Sequence, residues 1–572
     1  MKKAFFYLKS IQPFIFTIIL ILIILVVNGG CSSESEENSV DILLDRAITE
    51  PELREHIQTL ASDEFEGRMP FTEGEKKTIQ YLENAFNTIG LEPGNGDSYF
   101  QAVPLVEIEA TPTGIMTVEG NGNSVELNYR EDFVALTRRV TDRIEVGNSE
   151  LVFCGFGIVA PEYDWNDYEG VDMAGKTAVV LVNDPGFGTS DSAFFKGNTM
   201  TYYGRWTYKY EEAARQGAEG VIIIHNTAPA GYAWNVVQSS WTGKALYLKS
   251  EDGNQSRCAF EGWVSQQSAR QLMEMADIEN YLGQARKPGF QPISMGLSVN
   301  LTMDVTYKEA TSQNVIAKRT GHERPDEYII YSAHWDHIGV GKPIEGDSIY
   351  NGALDNASGT AVMLEIADAF SQLAEAPERT VIFLAVTAEE QGLLGSAYYA
   401  ENPIYPVNKT VANINMDGIH FRGPMKDLTI VGYGQSELDD YAEVVAKEQD
   451  RYVMPDPNAE KGYFFRSDHF SFAKVGIPAL YASGEYEQAE QGVEWTQAKM
   501  DEWTQRDYHQ PSDEYEEGEW NLAGMVQDAQ LLFKIGYQIS NEETFPQWKP
   551  GSEFKAAREQ SLASPQSTVD SP

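Results

Sequence analysis

The chain has 572 residues, too many for one ordinary domain, and 42% hydrophobic residues with 11% aromatics supply real cores rather than a disordered polymer. Asp and Glu number 86 against 43 Lys and Arg, a net charge of −43, which argues against nucleic acid as a partner because phosphate binding needs clustered basic side chains. So much acid reads as a solvated surface that keeps the protein in solution.

Residues 1–30 read as a targeting segment. Lys2, Lys3 and Lys9 precede an apolar run from Phe14 to Val27, which is too short for a comfortable bilayer span. Asn28-Gly29-Gly30-Cys31 follows, then the polar stretch SSESEENS. Small residues directly before a lone Cys resemble a bacterial lipoprotein signal, although Asn28 stands where a Leu-like residue is usual. Cleavage there leaves Cys31 as a lipidated first residue, so the expectation is an exported protein anchored to a bacterial membrane, periplasmic or at the cell surface. An ordinary signal peptide or an uncleaved anchor is the alternative. Residues 31–44, rich in Ser and Glu, read as a flexible tether.

From about Asp45 a helical pattern begins, with Leu53, Ile57 and Leu60 at helical spacing, then the loop DEFEGRMPFTEGE. A second helix carries Ile79, Leu82, Phe86 and Ile89 on one face and ends at Gly90, a residue suited to a helix C-cap. Across residues 108–290 short β-rich runs such as ELVFCGFGIVA and KTAVVLVND are punctuated by Gly, Pro and Asn, which predicts a β-rich insert. Cys154 and Cys258 fall within it and could form one disulfide. Residues 45–107 and 291–545 then make up the two parts of one α/β domain. In the second part the strands EYIIYSAHW, RTVIFLAVTA, TVANINMD, DLTIVGYG and PALYAS alternate with helices, which predicts a doubly wound, mostly parallel sheet covered on both faces. Residues 546–572 turn Ser-, Pro- and Gln-rich and read as a mobile tail.

Five motifs fall at the ends of these strands or in loops that can reach them. In open α/β sheets that is where a site forms. SAHWDHIG puts His334 and Asp336 at a strand end, a ligand with a carboxylate two positions on that can fix its tautomer. His337 is ambiguous and reads as structural. NGALDNASG sets Asp355 in a Gly-flanked turn before a helix, where Asp355, Asn356 or Ser358 is also needed as a cap. TAEEQGLLGS follows an apolar strand with Glu389 and Glu390, which are costly there unless a cation or a proton stabilises them. One can bind metal while the other holds an attacking water. NMDG supplies Asp417, and YHQPSDEY supplies Tyr508, His509 and Asp513.

The set AHWDH, GALDNASG, TAEEQGLLGS, NMDG and YHQPSD resembles the family-28 metallopeptidases of clan MH, which are di-zinc aminopeptidases with glutamate carboxypeptidase relatives. The insert resembles the protease-associated domain known in that family, and EFEGRMPFTEGE looks like a family feature. The resemblance implies two Zn2+, with His334 and Asp417 on one, Glu390 and His509 on the other, and Asp355 bridging. It implies Glu389 as general base, Asp336 as the partner of His334, Tyr508 as an oxyanion donor, Arg466 as a substrate contact, and a cis peptide bond at Asp355-Asn356. Oxygen and imidazole ligands without thiolate suit catalytic zinc. Peptides are then the substrates, attacked from the N-terminus. A carboxypeptidase or dipeptidase, an inactive receptor-like relative and a glutaminyl-cyclase-like transferase are the rivals.

Overall fold

The computed structural model describes residues 40–563, so Cys31 and the targeting segment lie outside the described residues. Helix α1 (Glu50–Leu60) buries Leu53, Ile57 and Leu60, and α2 (Glu73–Thr88) buries Leu82 and Phe86, as their apolar spacing requires. Both carry acid in the first turn, where the helix dipole favours it. The tether expected through residue 44 is instead helical from residue 40, because Leu44 is buried in the same core.

Four parallel strands form the centre of the sheet: β3 (Arg324–His334), β4 (Arg379–Val386), β5 (Thr410–Asn415) and β8 (Ala479–Ser483). They lie in the order β4, β3, β5, β8. The long strand β2 (Ile293–Arg319) joins antiparallel beside β4. Beyond β8 comes β6 (Asp427–Ile430), antiparallel, with β7 (Tyr452–Pro455) parallel at its edge. Every residue of β4 and β5 is buried, because helices cover both faces. The pleat sends Val381, Phe383 and Ala385 to a core shared with α1, α3 (Gly359–Ser371) and the long helix Ala523–Asn541. Ile382, Leu384 and Val386 face the opposite core with Tyr399 and Phe472. This mixed α/β architecture, doubly wound on a largely parallel sheet, is the fold the alternating strands and helices predict.

Strand β1 (Phe100–Pro112) pairs antiparallel with β2 from Phe100 opposite Val315 to Pro112 opposite Met303. The two strands leave the central sheet together as a ribbon and carry the chain into and out of a second, β-rich body. The expected boundary at residue 108 therefore falls within a continuous strand. This body has its own cores, with Phe153, Val179 and Ile222 in one and Val180, Val221 and Trp263 in the other. Its Cys154 and Cys258 are buried free thiols. Its strand Lys244–Leu248 pairs with β1, and Leu246 packs against Ala388 and Leu394, just past the carboxyl end of β4. The second body thus borders the rim of the sheet where the motifs converge.

The tail expected from residue 546 is packed at least to Ala563. Trp548 and Phe554 bury against Phe464 and Phe470, and Trp548 Nε1 donates to Gly476 O at 2.9 Å. Helix Lys555–Ala563 carries buried Arg558, which donates to Val407 O and Thr410 O. A few isolated anchors hold a segment whose average composition looks mobile. Among the described residues no helix is long and apolar enough to cross a membrane.

Candidate metal centre

The five ligand candidates meet at the carboxyl ends of the central strands. His334 is the last residue of β3, Asp417 follows the end of β5, and Glu389 and Glu390 follow β4. Ala388 sits at φ 53°, a left-handed kink that turns the chain between strand and glutamates. Asp355 lies in the turn before α3, where the Asp355-Asn356 peptide bond is cis. Of the three possible caps, Asn356 serves: its Oδ1 accepts from Gly359 N at 2.9 Å and from Gly418 N at 3.1 Å, tying the Asp355 turn to the Asp417 loop.

Asp355 stands between two imidazoles. His334 Nε2 is 3.3 Å from Asp355 Oδ1 and 3.3 Å from Asp417 Oδ1. His509 Nε2 is 3.2 Å from Asp355 Oδ2 and 3.2 Å from Glu390 Oε2. Two ligands of one tetrahedral zinc, each ~2.0–2.1 Å from it, stand about 3.3 Å apart. All four separations match, so these side chains are spaced as zinc ligands would be, in two candidate cradles that share Asp355. His337 also lies near Asp355 and Glu390, its ligand atom within 4.8 Å of theirs. Its Nδ1, however, is 2.5 Å from Glu390 Oε1, a hydrogen bond and too close for two ligands of one ion. The separations therefore favour His509 for the second cradle.

Burial pushes the Glu389 carboxyl well above its ordinary range, and Asp417 and Glu390 reinforce this against the opposing His334. Glu390 goes the other way: burial and Asp355 act to raise it, yet His337 and His509 hold it at about 2. The two adjacent glutamates are thus driven apart, one proton-binding and one ionised. Burial would lower His509, but Glu390 and Asp355 push it up to about 10. Tyr508 stacks on the His509 ring at 3.9 Å, and its phenol is raised by desolvation and by the surrounding carboxylates, so it remains a proton donor.

One expected contact differs. His334 Nδ1 lies 3.1 Å from the backbone oxygen of Asp336 and 3.9 Å from its carboxylate. That carboxylate instead accepts from Glu389 N at 3.0 Å, so Asp336 couples the β3 end to the glutamate turn. Arg466 is exposed, stacks over Tyr463 at 5.1 Å and donates to Lys461 O at 2.7 Å.

Two supports of the centre leave little trace in the sequence. Arg68, from the EFEGRMP loop, is buried beneath the centre and donates to Trp335 O, Asn351 O and Gly352 O at 2.6–2.9 Å, as well as to Leu60 O. A single planar fork thereby joins the backbones leading from His334 and to Asp355. Its one trace there is its place between Gly67 and Met69, in a segment that reads as a loop and folds as a kinked 3₁₀ helix, Asp63–Arg68. Ser467 Oγ donates to Asp417 Oδ2 at 2.5 Å, which leaves Oδ1 for the cradle. Asp513 brings in the His509 loop: its carboxylate accepts from Leu354 N and Asp355 N, both at 3.0 Å.

Residues 314–533 match the family model described as Peptidase family M28, a stretch that contains all five cradle residues and Glu389. Among curated proteins, a segment is 36% identical over 138 residues to Aminopeptidase NAALADL1 of Mus musculus, covering 23% of this chain and 17% of that protein. Another is 37% identical over 128 residues to the Glutamate carboxypeptidase 2 homolog of Caenorhabditis elegans, covering 22% and 15%. The probable leucine aminopeptidase 2 of Aspergillus oryzae is 27% identical over 270 residues, covering 46% and 48%. The chain thus spans less than half the length of each of these relatives. Among solved structures, an aminopeptidase from Aneurinibacillus sp. strain AM-1 is 20% identical with a TM-score of 0.49, covering 88% of this chain and 97% of that one.

Proposed function

We propose, starting from the family M28 match, that this chain is a zinc metallopeptidase working with two ions, an exopeptidase that removes N-terminal residues from peptides. The observation that carries the reading is Asp355 held between His334 and His509 at tetrahedral ligand spacing, with Glu389 beside them. His334, Asp355 and Asp417 would hold one zinc, and Asp355, Glu390 and His509 the other. Zinc bound there supplies Lewis acidity and lowers the pKa of bound water. Glu389 acts in its ionised form: it takes the proton of the attacking water, holds it the more readily for being buried, and passes it to the leaving amine. Tyr508 donates a hydrogen bond to the developing oxyanion, and Arg466 contacts a substrate carbonyl or carboxylate. The four carboxylates Asp355, Glu389, Glu390 and Asp417 give the site a negative field that suits a protonated amino terminus.

A second reading, a carboxypeptidase or dipeptidase, draws on Arg205 of the β-rich body. Burial and the charge of Arg466 hold its guanidinium down at about 10, and Arg466 directly precedes Ser467, which holds Asp417; capture of a free carboxylate calls for such basic side chains. The deciding test compares a dipeptide amide, its N-acetylated counterpart and an N-blocked peptide with a free C-terminus, each with and without chelator. Rapid, chelator-sensitive cleavage of the free-amine amide supports the aminopeptidase. Cleavage of the N-blocked, C-free peptide alone replaces it with the second reading.

The β-rich body, in this reading, is a protease-associated domain that restricts entry to short flexible chain ends. The whole protein is held at a bacterial membrane through a lipid on Cys31. Labelling of the wild type but not Cys31→Ala with a fatty-acid probe supports the anchor, and equal labelling rejects it.

A further inference from the structure

Each ligand carboxylate at this centre has two oxygens, and the second one must be held if the first is to stay in place. For Asp355 both oxygens face cradle imidazoles. For Asp417 the spare oxygen is held by Ser467 Oγ at 2.5 Å. Glu390 has the longest side chain of the three and the most rotamers to lose. Its Oε2 faces His509 at 3.2 Å and its Oε1 is 2.5 Å from His337 Nδ1.

We propose that His337 is a positioning residue, whose Nδ1–H clamps Glu390 Oε1 so that Oε2 alone is presented to the second zinc. The inference rests on the di-zinc reading above and gives a specific task to a residue that the sequence marks as ambiguous and structural. Several observations support it. The separation is that of a hydrogen bond and not of two ligands about one ion, which stand roughly 3.3 Å apart. The ring is fully buried, while the His509 side chain is 36% exposed, so the clamp is the more rigid of the two imidazole contacts. The ring is also seated against the backbone: a Cβ on Gly352 would come within 2.5 Å of His337 Cγ and 2.6 Å of Cδ2, and Gly352 sits at φ 59°, so a glycine leaves the room the imidazole needs. His337 Nε2 has no hydrogen-bond partner, so Nδ1 makes the ring's polar contact. The planes of His337 and His509 are inclined at 74° with centroids 5.9 Å apart, so the rings approach the same carboxylate from different sides.

Partners that orient a ligand in this way contribute about 10–100-fold to metal affinity. The experiment titrates zinc against a chromophoric chelator for the wild type, His337→Ala and His337→Asn, with calorimetric melting of each zinc-loaded protein to check folding. The Asn side-chain amide can donate from nearly the same point as Nδ1. The expected result is two zinc equivalents for the wild type and, for His337→Ala, a loss of about 10–100-fold in affinity for one equivalent only. His337→Asn should recover most of that loss, and excess zinc should restore kcat. Equal weakening of both equivalents, or no change in either, overturns the clamp. So does X-ray absorption of the loaded wild type that counts His337 as a third imidazole ligand. A wild type that binds fewer than two equivalents would instead refute the di-zinc reading itself.

Discussion

Glu389 and Glu390 are neighbours in the chain and opposites in chemistry. In the proposed mechanism the kink at Ala388 turns one toward proton transfer and the other toward Asp355 as a metal ligand. Glu389→Gln should therefore keep its zinc and lose about 10²–10⁴-fold in kcat, the usual contribution of a general base. Metal analysis beside turnover checks this, and lost zinc with near-normal turnover per bound ion would show the two roles reversed. The imidazoles give a pH prediction. In the metal-free chain burial would lower His334 and His509, but their carboxylate neighbours raise both, His509 to about 10. A raised imidazole contributes stability that is whole below the unfolded value of 6.5 and is lost as pH rises through about 10. The chelator-treated protein should thus lose stability between pH 7 and about pH 10 more steeply than the zinc-loaded protein. Zinc binding should also release protons, seen by calorimetry as a heat that changes with the buffer's ionisation enthalpy. A buffer-independent heat would mean the imidazoles were already neutral.

At the scale of elements, two devices bring distant segments to the strand ends. Arg68 joins the loops after β3 and before α3 through backbone carbonyls, and Asp513 closes the His509 loop onto the Asp355 turn. The helix Gly492–Arg506 that precedes this loop buries only Thr496, so little apolar packing holds the loop in place. Asp513→Ala should free it. Amides of residues 507–513 should then exchange faster, and one zinc equivalent should weaken while the sheet's protected amides stay unchanged. Unchanged exchange in that loop would place its anchor elsewhere.

Over the whole molecule, the C-terminal segment is part of the fold. Trp548 fills the core formed by Phe464, Phe470 and Phe554, next to the stretch that carries Arg466 and Ser467. Trp548→Ala should cost about 3–5 kcal/mol, measured by denaturant unfolding. A loss below 1 kcal/mol would restore the mobile tail that composition suggests. The β1–β2 ribbon makes the second body continuous with the central sheet, so its position beside the strand ends is set by paired strands rather than by a linker.

What the sequence determined by itself was whatever is encoded within a few residues. Near-continuous apolar strands alternating with amphipathic helices specify a covered parallel sheet, because burial on both faces leaves no polar alternation. His334 ends one such strand, and Asp417 and Glu390 come within a few residues of the ends of two others, so the sheet brings them to one rim. What the tertiary structure decided were contacts between residues far apart in the chain. His337 meets Glu390 across 53 positions and Arg68 meets Trp335 across 267, and no local periodicity records either. Composition hid the anchoring of the C-terminal segment for the same reason: Trp548 and Phe554 matter through the particular surface they cover. A periodic pattern fixes which face of an element is buried, whereas the partner of a single hydrogen-bonding group is fixed only when the chain path closes.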